Sequence, residues 1–439
     1  MEFHRGPNSS ASPPTAEQDI SPSLLRRQAL VSWLGLPRFD WSLTLLGLCV
    51  FTVAVVTARF PIAEVGVAIA AVGLVLQRDK VRLPPPVWLY GAFLLWALVA
   101  SLNSRYPEIA IDQILERLKL WVIMIIAVNA LQTEGRLRFY LLLFLGCFVL
   151  FPVRGTLVNY LIVGYTRFGR ALWNYIYANS NDLATLSLVT LGVAIGLASS
   201  LNSRTLVRIG AGISAILLLV VLLLTQSRGA FFGLVVGMGP AVVLSILKRP
   251  IRLVSALLLG LAIALVVPET AWERLSGMEK LTDTSTIAQA DPEGSAEQRF
   301  EIQKVGWQIF VDNPVFGVGL GAYPLENARY SPELGIRDTH NTYLNLAAEV
   351  GLPGLALWCA LVWLVLRHAY RSRRFAAPGD LATQQAWIER ALWGYLAAGL
   401  FGTYAALTFP YLMLAVLWCS ANLLASPPRP KNDDPPTKA

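Results

Sequence analysis

Long apolar stretches alternate with short polar ones along most of this chain. Most of the apolar stretches run for roughly 16 to 20 residues, which at 1.5 Å per residue spans a hydrocarbon core of about 30 Å. Backbone groups inside a bilayer must be satisfied within the protein, so each stretch is predicted to be a helix. Short strands of alternating polarity, which a membrane β-barrel would require, are not visible in the sequence.

About twelve such stretches can be counted. They cover residues 41–58, 61–77, 87–102, 113–131, 137–153, 182–200, 209–225, 230–247, 253–267, 342–366, 386–409 and 410–425. The predicted fold is therefore an all-α polytopic membrane protein, with transmembrane helices 1–9 in residues 39–267 and helices 10–12 in residues 342–425. A large extracytoplasmic loop with amphipathic helices is expected between them, in residues 268–341.

The two ends of the chain differ in composition from this core. Residues 1–38 are rich in serine, proline and charge, and are predicted to form a disordered arm. This arm is not read as a signal peptide, because no charged start leads directly into a short apolar core and a cleavage site. Residues 426–439 are rich in proline and are predicted to form a second disordered tail.

Composition supports a membrane protein and argues against two other classes. Charged residues make up 15% of the chain and hydrophobic residues 55%, whereas a soluble domain carries about 25% charged residues. The net charge of +8 comes from basic residues scattered in short loops, so nucleic acid is not expected as a partner. All four cysteines lie inside apolar runs without paired spacing, which predicts buried side chains rather than disulfides or metal ligands.

The basic residues also predict the orientation in the membrane. Clusters follow the even-numbered stretches, at Arg78/Lys80/Arg82, Arg136/Arg138, Arg204/Arg208, Lys248/Arg249/Arg252 and Arg367 to Arg374. Basic loops face the cytoplasm, so both termini are predicted to be cytoplasmic. Three polar segments that carry arginine then fall together on the extracytoplasmic face: residues 154–181, the turn at 225–230 and the long loop. No nucleotide is expected there, so any synthesis needs an activated substrate.

His340, at the end of the long loop, is the main candidate for acid–base chemistry. It is one of only three histidines in the chain. An unperturbed imidazole has a pKa near 6.5 and accepts a proton at ordinary pH. The alternative is an interfacial histidine at a helix start, but its position near the arginine-bearing segments favours a functional role.

Arg228 stands in the turn Thr225-Gln226-Ser227-Arg228-Gly229-Ala230, between two apolar helices. A snorkelling membrane anchor is one interpretation. However, the turn precedes a helix start, whose unpaired N–H groups favour an anion. Phosphate or diphosphate binding is therefore the preferred prediction.

Arg154, Arg167 and Arg170 punctuate the polar segment before the sixth stretch. The apolar piece within it, residues 157–163, is too short to span a bilayer, so a re-entrant or interface-lying segment is predicted. Arginine stays charged and binds phosphate through two parallel hydrogen bonds, which suits a lipid diphosphate. Surface contact with anionic lipids is the alternative for each of the three.

Asn179 and Asn181 follow these arginines at the start of the sixth stretch. They are candidate substrate contacts. Helix capping, together with Asp182, would also account for them.

The segment that begins at Arg299 has the pattern of an amphipathic helix. Phe300, Trp307 and Phe310 recur at near-helical spacing, and Asn313-Pro314 ends the run. The helix is predicted to lie on the membrane surface. Arg299 then faces either the site or the lipid headgroups.

The glycine-rich segment at residues 317–321 resembles a phosphate-binding loop only superficially. It follows no predicted strand and lacks both the dinucleotide fingerprint and a Gly-Lys-Ser/Thr sequence. A flexible or close-packed turn is predicted instead. No metal constellation is visible and no cofactor is expected, so arginines would have to neutralise a leaving diphosphate.

Several motifs together resemble the O-antigen ligase and polymerase family of bacterial envelope enzymes. The resemblance spans about residues 211 to 365 and consists of Thr225-Gln226-Ser227-Arg228-Gly229-Ala230, Arg299 with Trp307, Pro314 with Gly317 and Gly319, His340-Asn341-Thr342-Tyr343-Leu344, and Glu349-Val350-Gly351-Leu352-Pro353-Gly354. The layout of twelve spans, with a large loop before the tenth, extends the likeness over most of the chain.

The resemblance implies a glycosyltransferase C-like ligase of the bacterial inner membrane with a periplasmic active site. Such an enzyme moves polysaccharide from undecaprenyl diphosphate to lipid A–core, with inversion and without a metal. His340 matches the family histidine proposed to deprotonate the acceptor, and Arg228 and Arg299 match arginines taken to hold the donor diphosphate. Asn341 and Tyr343, inside the matched motif, are expected to contact substrate, whereas the prediction for Arg154, Arg167 and Arg170 depends mainly on charge.

Three other functions remain open from the sequence. An O-antigen polymerase uses the same donor but a lipid-linked glycan as acceptor, and a protein O-glycosylating ligase uses a protein. A lipid-linked sugar transporter would show charges at mid-membrane depth and repeated halves. Neither is expected here, because the polar clusters fall at one face.

Overall fold

The computed structural model describes residues 39–58, 62–77, 80–248, 260 and 295–425. These form α1 (Leu43–Thr57), α2 (Ala63–Leu76), α3 (Pro85–Ser101), α4 (Pro107–Ala130), α5 (Glu134–Val163), α6 (Ser180–Ala198), α7 (Thr205–Leu224), α8 (Arg228–Leu247), α9 (Ser295–Asp312), α10 (Tyr323–Tyr330), α11 (Thr342–Phe375), α12 (Asp380–Ala398) and α13 (Thr408–Ala425). The described part contains no β-strand. The predicted terminal arm and tail, the ninth stretch apart from residue 260, and the first part of the long loop lie outside the described residues.

The prediction of an all-helical membrane protein is confirmed. Six of the described helices are long and apolar enough to cross a membrane, namely α5, α6, α7, α8, α11 and α13. Three shorter apolar helices, α1, α2 and α3, accompany them. The number of twelve spans stays a prediction. The predicted end of the eleventh span, at residue 409, is wrong. Helix α12 stops at Ala398, and a non-helical connection, residues 399–407, leads to α13.

Residues 157–163 do not form a separate re-entrant segment, and the interface-lying alternative stays a prediction. They continue α5, which passes through two π-helical turns, Val149–Val153 and Asn159–Val163. The first π turn contains Pro152, which has no N–H to donate and is tolerated where the helix widens. Arg154 lies within this helix, and its side chain is exposed, so the helix continues past it without burying its charge.

Small residues bring α8 and α12 together. A Cβ added to Gly233 would lie 2.3 Å from the carbonyl oxygen of Gly394, so the two backbones are in direct contact, as is common between membrane helices. At the start of α8, a Cβ on Gly229 would lie 2.7 Å from the Cβ of Phe401. The residue before it, Arg228, therefore lies next to the connection between α12 and α13.

Helix α11 is broken at Gly351, whose φ of 68° and ψ of −178° are not helical. The break leaves carbonyl groups without partners inside the helix. The N–H groups of Val318 and Gly319 donate to the carbonyl oxygens of Ala348 and Glu349, both at 2.9 Å. Of the two alternatives for the glycine-rich segment, the close-packed turn is therefore the one that forms.

The polar ends of the helices separate into two groups. At one end, Arg138 donates to the Oγ of Ser203 at 2.6 Å, and the N–H of Asn202 donates to the carboxylate of Asp380 at 3.1 Å. The starts of α5 and α12 and the end of α6 therefore meet there, with Arg138 among the predicted cytoplasmic clusters. The segment 164–179 and the turn at 225–228 lie at the other end of these helices.

Candidate active site

A cavity of about 310 Å³ lies at the second end of the helices, where four segments meet. These segments are the one after α5, the start of α6, the start of α9 and the loop before α11. The lining residues are Arg167, Phe168, Arg170, Asn179, Ser180, Asn181, Gln298, Arg299, Ile302, Arg337 and His340. Six of the ten residues predicted to form the site therefore line one cavity.

Arg167 and Arg170 flank a tight hairpin turn. Each donates its backbone N–H to the carbonyl oxygen of the other, at 3.1 Å in both directions. The two central residues, Phe168 and Gly169, have φ of 54° and 70°, which is typical of a two-residue hairpin turn. Residues directly opposite each other in such a hairpin point to the same face. The turn thus brings two arginines, three positions apart, to the same wall.

Arg170 is held on two sides. Its Nε donates to the carbonyl oxygen of Thr225 at 2.8 Å, and its Nη2 donates to the Oδ1 of Asn181 at 2.5 Å. Asn179 is the N-cap of α6, with its side chain accepting from the N–H of Asn181 at 2.8 Å. The capping alternative for Asn179 is therefore confirmed, and Asn181 orients an arginine at the edge of the cavity.

Arg228 lies beside the cavity wall, not in its lining. It is the first residue of α8, and Ser227 caps that helix. The preceding residue, Gln226, donates from its side chain to the carbonyl oxygen of Gly169 at 3.2 Å. The arginine turn and the Arg167–Arg170 hairpin therefore pack against each other, and Arg228 itself is half-buried.

Arg299 enters the cavity from the first turns of α9. The predicted helix is confirmed, and it ends at Asp312 as expected. Ile302 and Ile309 bury the inner face of α9, while Trp307 is 60% exposed on the outer face. This amphipathic arrangement orients α9, whereas its position on a membrane surface stays a prediction.

His340 has a left-handed backbone, with φ of 51°. The next two residues fix it, because Asn341 caps α11 and Thr342 donates its N–H to the carbonyl oxygen of Gly399 at 2.7 Å. Among the described residues, four of the five non-glycine residues with positive φ lie in the segments around this cavity: Phe168, Tyr175, Gln226 and His340. Such outliers cluster at functional sites, where surrounding structure holds them.

The pKa of the His340 imidazole is lowered from its ordinary value of 6.5. The main cause is burial, which removes water from the charged form. The positive charges of Arg299 and Arg337 lower it further, while Asp338 opposes them. The imidazole is therefore neutral, and able to accept a proton, over a wider pH range than in water.

Residues 213–359 match the sequence model of a family described as O-Antigen ligase. Residues 213–359 thus carry a domain of the O-antigen ligase family. No curated protein matches the chain. Within the family domain lie Arg228, Arg299 and His340, whereas the Arg167–Arg170 hairpin and the start of α6 precede it.

Three predicted site residues lie away from the cavity. Asn341 uses its side-chain oxygen to accept from the N–H groups of Tyr343 and Leu344, at 3.0 and 3.1 Å. The hydroxyl of Tyr343 donates to the carbonyl oxygen of Leu396 at 2.7 Å, so this side chain points into the helix packing. Arg154 lines a separate apolar groove on the outer side of α5.

Arg337 and Gln298 line the cavity although the sequence reasoning did not single them out. Each is close in sequence to a predicted residue, since Arg337 precedes His340 by three positions and Gln298 precedes Arg299. Closeness to a predicted residue is the only feature of the sequence that could have pointed to these two as lining residues. The described residues contain no group of three or more His, Cys, Asp or Glu side chains that could hold a metal ion.

Proposed function

We propose that this membrane protein is an O-antigen ligase, a glycosyltransferase that moves polysaccharide from undecaprenyl diphosphate to lipid A–core. The observation that carries the proposal is the cavity in which His340 lies with Arg167, Arg170 and Arg299. Membership of the family supports the coarser statement, an enzyme of the ligase and polymerase type. The assignment of donor, acceptor and residue roles is the proposal.

The cavity is suited to an anion with several oxygens. Four of its lining residues are arginines and none is a carboxylate, so the positive charges around the cavity reinforce one another. Guanidinium groups bind phosphate oxygens through paired hydrogen bonds. Their charge would stabilise the negative charge that develops on the departing diphosphate.

His340 would act as the general base. In the proposed step, the acceptor hydroxyl oxygen attacks the anomeric carbon of the donor sugar from the side opposite the diphosphate. The hydroxyl proton passes to the imidazole, and the bond between the anomeric carbon and the diphosphate oxygen breaks. Its electron pair leaves with the diphosphate, whose charge the arginines offset.

The location of the cavity agrees with a periplasmic reaction. It lies at the end of the helices opposite Arg138 and the loops that meet it. If basic loops face the cytoplasm, the cavity opens on the periplasmic side of the inner membrane. A donor and an acceptor that are both lipids would reach it from the outer leaflet.

The sequence reasoning expected no charge at mid-membrane depth, which stays a prediction, but two ionisable side chains are buried between the helices. They are Arg117 in α4 and Glu349 in α11, which are 6% and 3% exposed. Buried charge is expected in transporters, but a transported molecule needs access that these side chains lack. A cavity at one end of the helices favours transfer at a surface over passage through the molecule.

The test is a reconstituted reaction in lipid nanodiscs with undecaprenyl-diphosphate glycan and lipid A–core, with and without a chelator. His340→Ala is expected to abolish transfer. The matched control is His368→Ala. His368 lies on the far part of α11, where it contacts Asn422 of α13, and is expected to be dispensable. Near-wild-type transfer by His340→Ala would remove the proposed base.

The products distinguish the related enzymes. Polysaccharide on lipid A–core supports the ligase, longer lipid-linked glycans would indicate the polymerase, and a labelled protein would indicate protein O-glycosylation. Movement of the donor across the bilayer without any glycosyl transfer would support a transporter.

A further inference from the structure

The connection between α12 and α13, residues 399–407, holds the start of α11 through Thr342. The N–H of Thr342 donates to the carbonyl oxygen of Gly399 at 2.7 Å, and its hydroxyl donates to the carbonyl oxygen of Gly402 at 2.7 Å. The same hydroxyl accepts from the N–H of Tyr404 at 2.9 Å. Because Thr342 is 2% exposed, these bonds are shielded from water, and the chain just after the candidate base is fixed.

The same connection holds the residues before the histidine through the hydroxyl of Thr403. This hydroxyl donates to the Oδ1 of Asp338 at 2.9 Å, and its oxygen lies 3.2 Å from the Oγ1 of Thr339. Thr339 is fully buried, and its own hydroxyl oxygen accepts from the N–H of Asn341 at 3.3 Å. His340 is therefore flanked on both sides by residues that are tied to the connection.

Neighbouring side chains of the histidine segment have different surroundings. Arg337 and His340 line the cavity, whereas Asp338 and Thr339 between them do not. The residues that Thr403 contacts are thus the ones outside the cavity lining. These contacts fix the segment and leave the imidazole available to a ligand.

The connection also touches the turn that carries Arg228. A Cβ added to Gly229 would lie 2.7 Å from the Cβ of Phe401. The hydroxyl of Tyr395 in α12 donates to the carbonyl oxygen of Tyr404 at 2.8 Å, which anchors the connection to its own helix. The match to the family ends at residue 359, so it assigns the connection no part in the site.

We infer that Thr403 is a positioning residue for the proposed base: its hydroxyl holds Asp338, and through this segment it sets where the His340 imidazole lies. The inference rests on the proposed function. His340 has a φ of 51°, a conformation that persists only when surrounding contacts impose it. A general base must lie within hydrogen-bond distance of the proton that it accepts, so a small displacement of the imidazole lowers the rate.

Asp338 gives this contact an electrostatic consequence as well. Its carboxylate opposes the lowering of the His340 pKa, since a nearby negative charge favours the protonated imidazole. The protonated form appears when the base accepts the acceptor's proton. By fixing the carboxylate, Thr403 keeps that negative charge near the imidazole.

Substitution of Thr403 tests the role through kinetics. Thr403→Val keeps the branched shape and removes the hydroxyl, so kcat is expected to fall about tenfold. KM for the donor should stay within about twofold of the wild type, because the cavity arginines are unchanged. Thr403→Ser retains the hydroxyl and should restore kcat to within about twofold of the wild type. An unchanged kcat in Thr403→Val, or a loss that serine does not restore, would overturn the inference.

Thr383→Val is the matched control for loss of a threonine hydroxyl. Thr383 is half-buried like Thr403, but it lies at the other end of α12, where its hydroxyl donates to the carbonyl oxygen of Gly379 at 2.9 Å. This variant is expected to keep the kcat and KM of the wild type. An equal fall of kcat in the two valine variants would exclude a specific positioning role.

A double-mutant cycle tests whether Thr403 acts through Asp338. Asp338→Ala removes the acceptor of the Thr403 hydroxyl, so adding Thr403→Val to it should change kcat by less than about twofold. Losses that multiply would show that the two side chains act independently, which would contradict the inference.

Hydrogen exchange of the full-length protein in nanodiscs keeps this inference separate from the proposed function, because it needs no catalysis. Amides of residues 341–342 should exchange about fivefold faster in Thr403→Val than in the wild type or in Thr383→Val. If the wild type transfers glycan to no acceptor, the ligase proposal fails, yet exchange still decides whether Thr403 holds the segment. If transfer occurs and Thr403→Val matches the wild type in exchange and in kcat, the assignment of Thr403 alone is wrong.

Discussion

The Nε atom of Arg170 donates a hydrogen bond to the carbonyl oxygen of Thr225 at 2.8 Å. This bond joins the hairpin after α5 to the turn that leads into Arg228, two segments separated by more than fifty positions. It also fixes the plane of the guanidinium, so less side-chain freedom is lost when an anion binds. Arg170 therefore has a structural role beside the binding role proposed for it, whereas Arg167, opposite it in the hairpin, is exposed and has no side-chain partner among the described residues.

Alanine at each of these two arginines should separate the roles. Arg170→Ala removes the bonds to Thr225 and Asn181, and is expected to lower both the transfer rate and the free energy of unfolding, the latter by about 1–3 kcal/mol. Arg167→Ala should lower transfer by roughly 10- to 100-fold with an unchanged unfolding temperature. Both are measured on purified protein in detergent, by glycan transfer and by thermal unfolding.

Arg367→Ala, on the far part of α11, provides the control for loss of one positive charge. It is expected to leave transfer unchanged. A loss of stability in Arg167→Ala as large as in Arg170→Ala would contradict the separation of roles.

The pH dependence of transfer should report the environment of His340. The proposed base is the neutral imidazole, so kcat/KM should rise with pH as the proton is lost. Because burial, Arg299 and Arg337 lower this pKa, the acidic limb should have its midpoint below 6.5 and activity should persist at mildly acidic pH. The measurement is kcat/KM for the acceptor across a pH series.

Two variants test the sign of this shift. Arg299→Gln removes a positive charge that lowers the pKa, so the midpoint should move up toward 6.5. Asp338→Asn removes the opposing carboxylate, so the midpoint should move further down. A midpoint that stays constant in both variants would show that another group controls the acidic limb.

Most helices could be predicted from the sequence because an apolar run of sufficient length has few alternatives in a membrane. Helix α9 was predictable for a different reason, since its aromatic spacing and its Asn313-Pro314 stop are local signals. The extension of α5 was not predictable in this way. Arg154 and Gly155 interrupt the apolar run, and only the packing of Trp173 and its neighbours against the helix shows that it continues.

The sequence could predict which residues belong to the site, but not which way their side chains face. The phosphate chemistry of arginine in a polar segment suggested function for Arg167 and Arg170, and the resemblance to the family suggested it for Arg299. All three line the cavity. The matched motif suggested a substrate contact for Tyr343, but its hydroxyl donates to the carbonyl oxygen of Leu396, because the rotation of α11 decides which way the side chain faces. Sequence spacing alone does not fix that rotation, because it depends on how α11 packs against α12.

The glycine-rich turn should be needed for stability through a specific close approach. Gly317 and Gly335 have nearly the same φ, 69° and 67°. A Cβ added to Gly317 would lie 2.4 Å from the carbonyl carbon of Glu349, whereas nothing lies within 4 Å of one added to Gly335. Gly335→Ala should therefore cost only the backbone strain, about 1–2 kcal/mol. Gly317→Ala should cost roughly 1–3 kcal/mol more, because backbone must move.

The comparison is made by thermal unfolding of both variants under one set of conditions. An equal loss of stability in the two variants would mean that backbone conformation sets the stability of this region. The packing of the turn against the α11 break would then contribute little.

Asn341 allows the capping role of its side chain to be distinguished from the substrate contact expected from the sequence. Its side-chain oxygen accepts two N–H groups at the start of α11, and the residue before it is His340. Asn341→Ala should lower the free energy of unfolding by about 1 kcal/mol and reduce transfer, since the helix start that positions the imidazole frays. Asn341→Asp retains the acceptor oxygen and should keep both stability and transfer near the wild type. If the aspartate variant instead keeps its stability but loses transfer, the amide nitrogen contacts substrate, and Asn341 belongs to the site as well as to the helix.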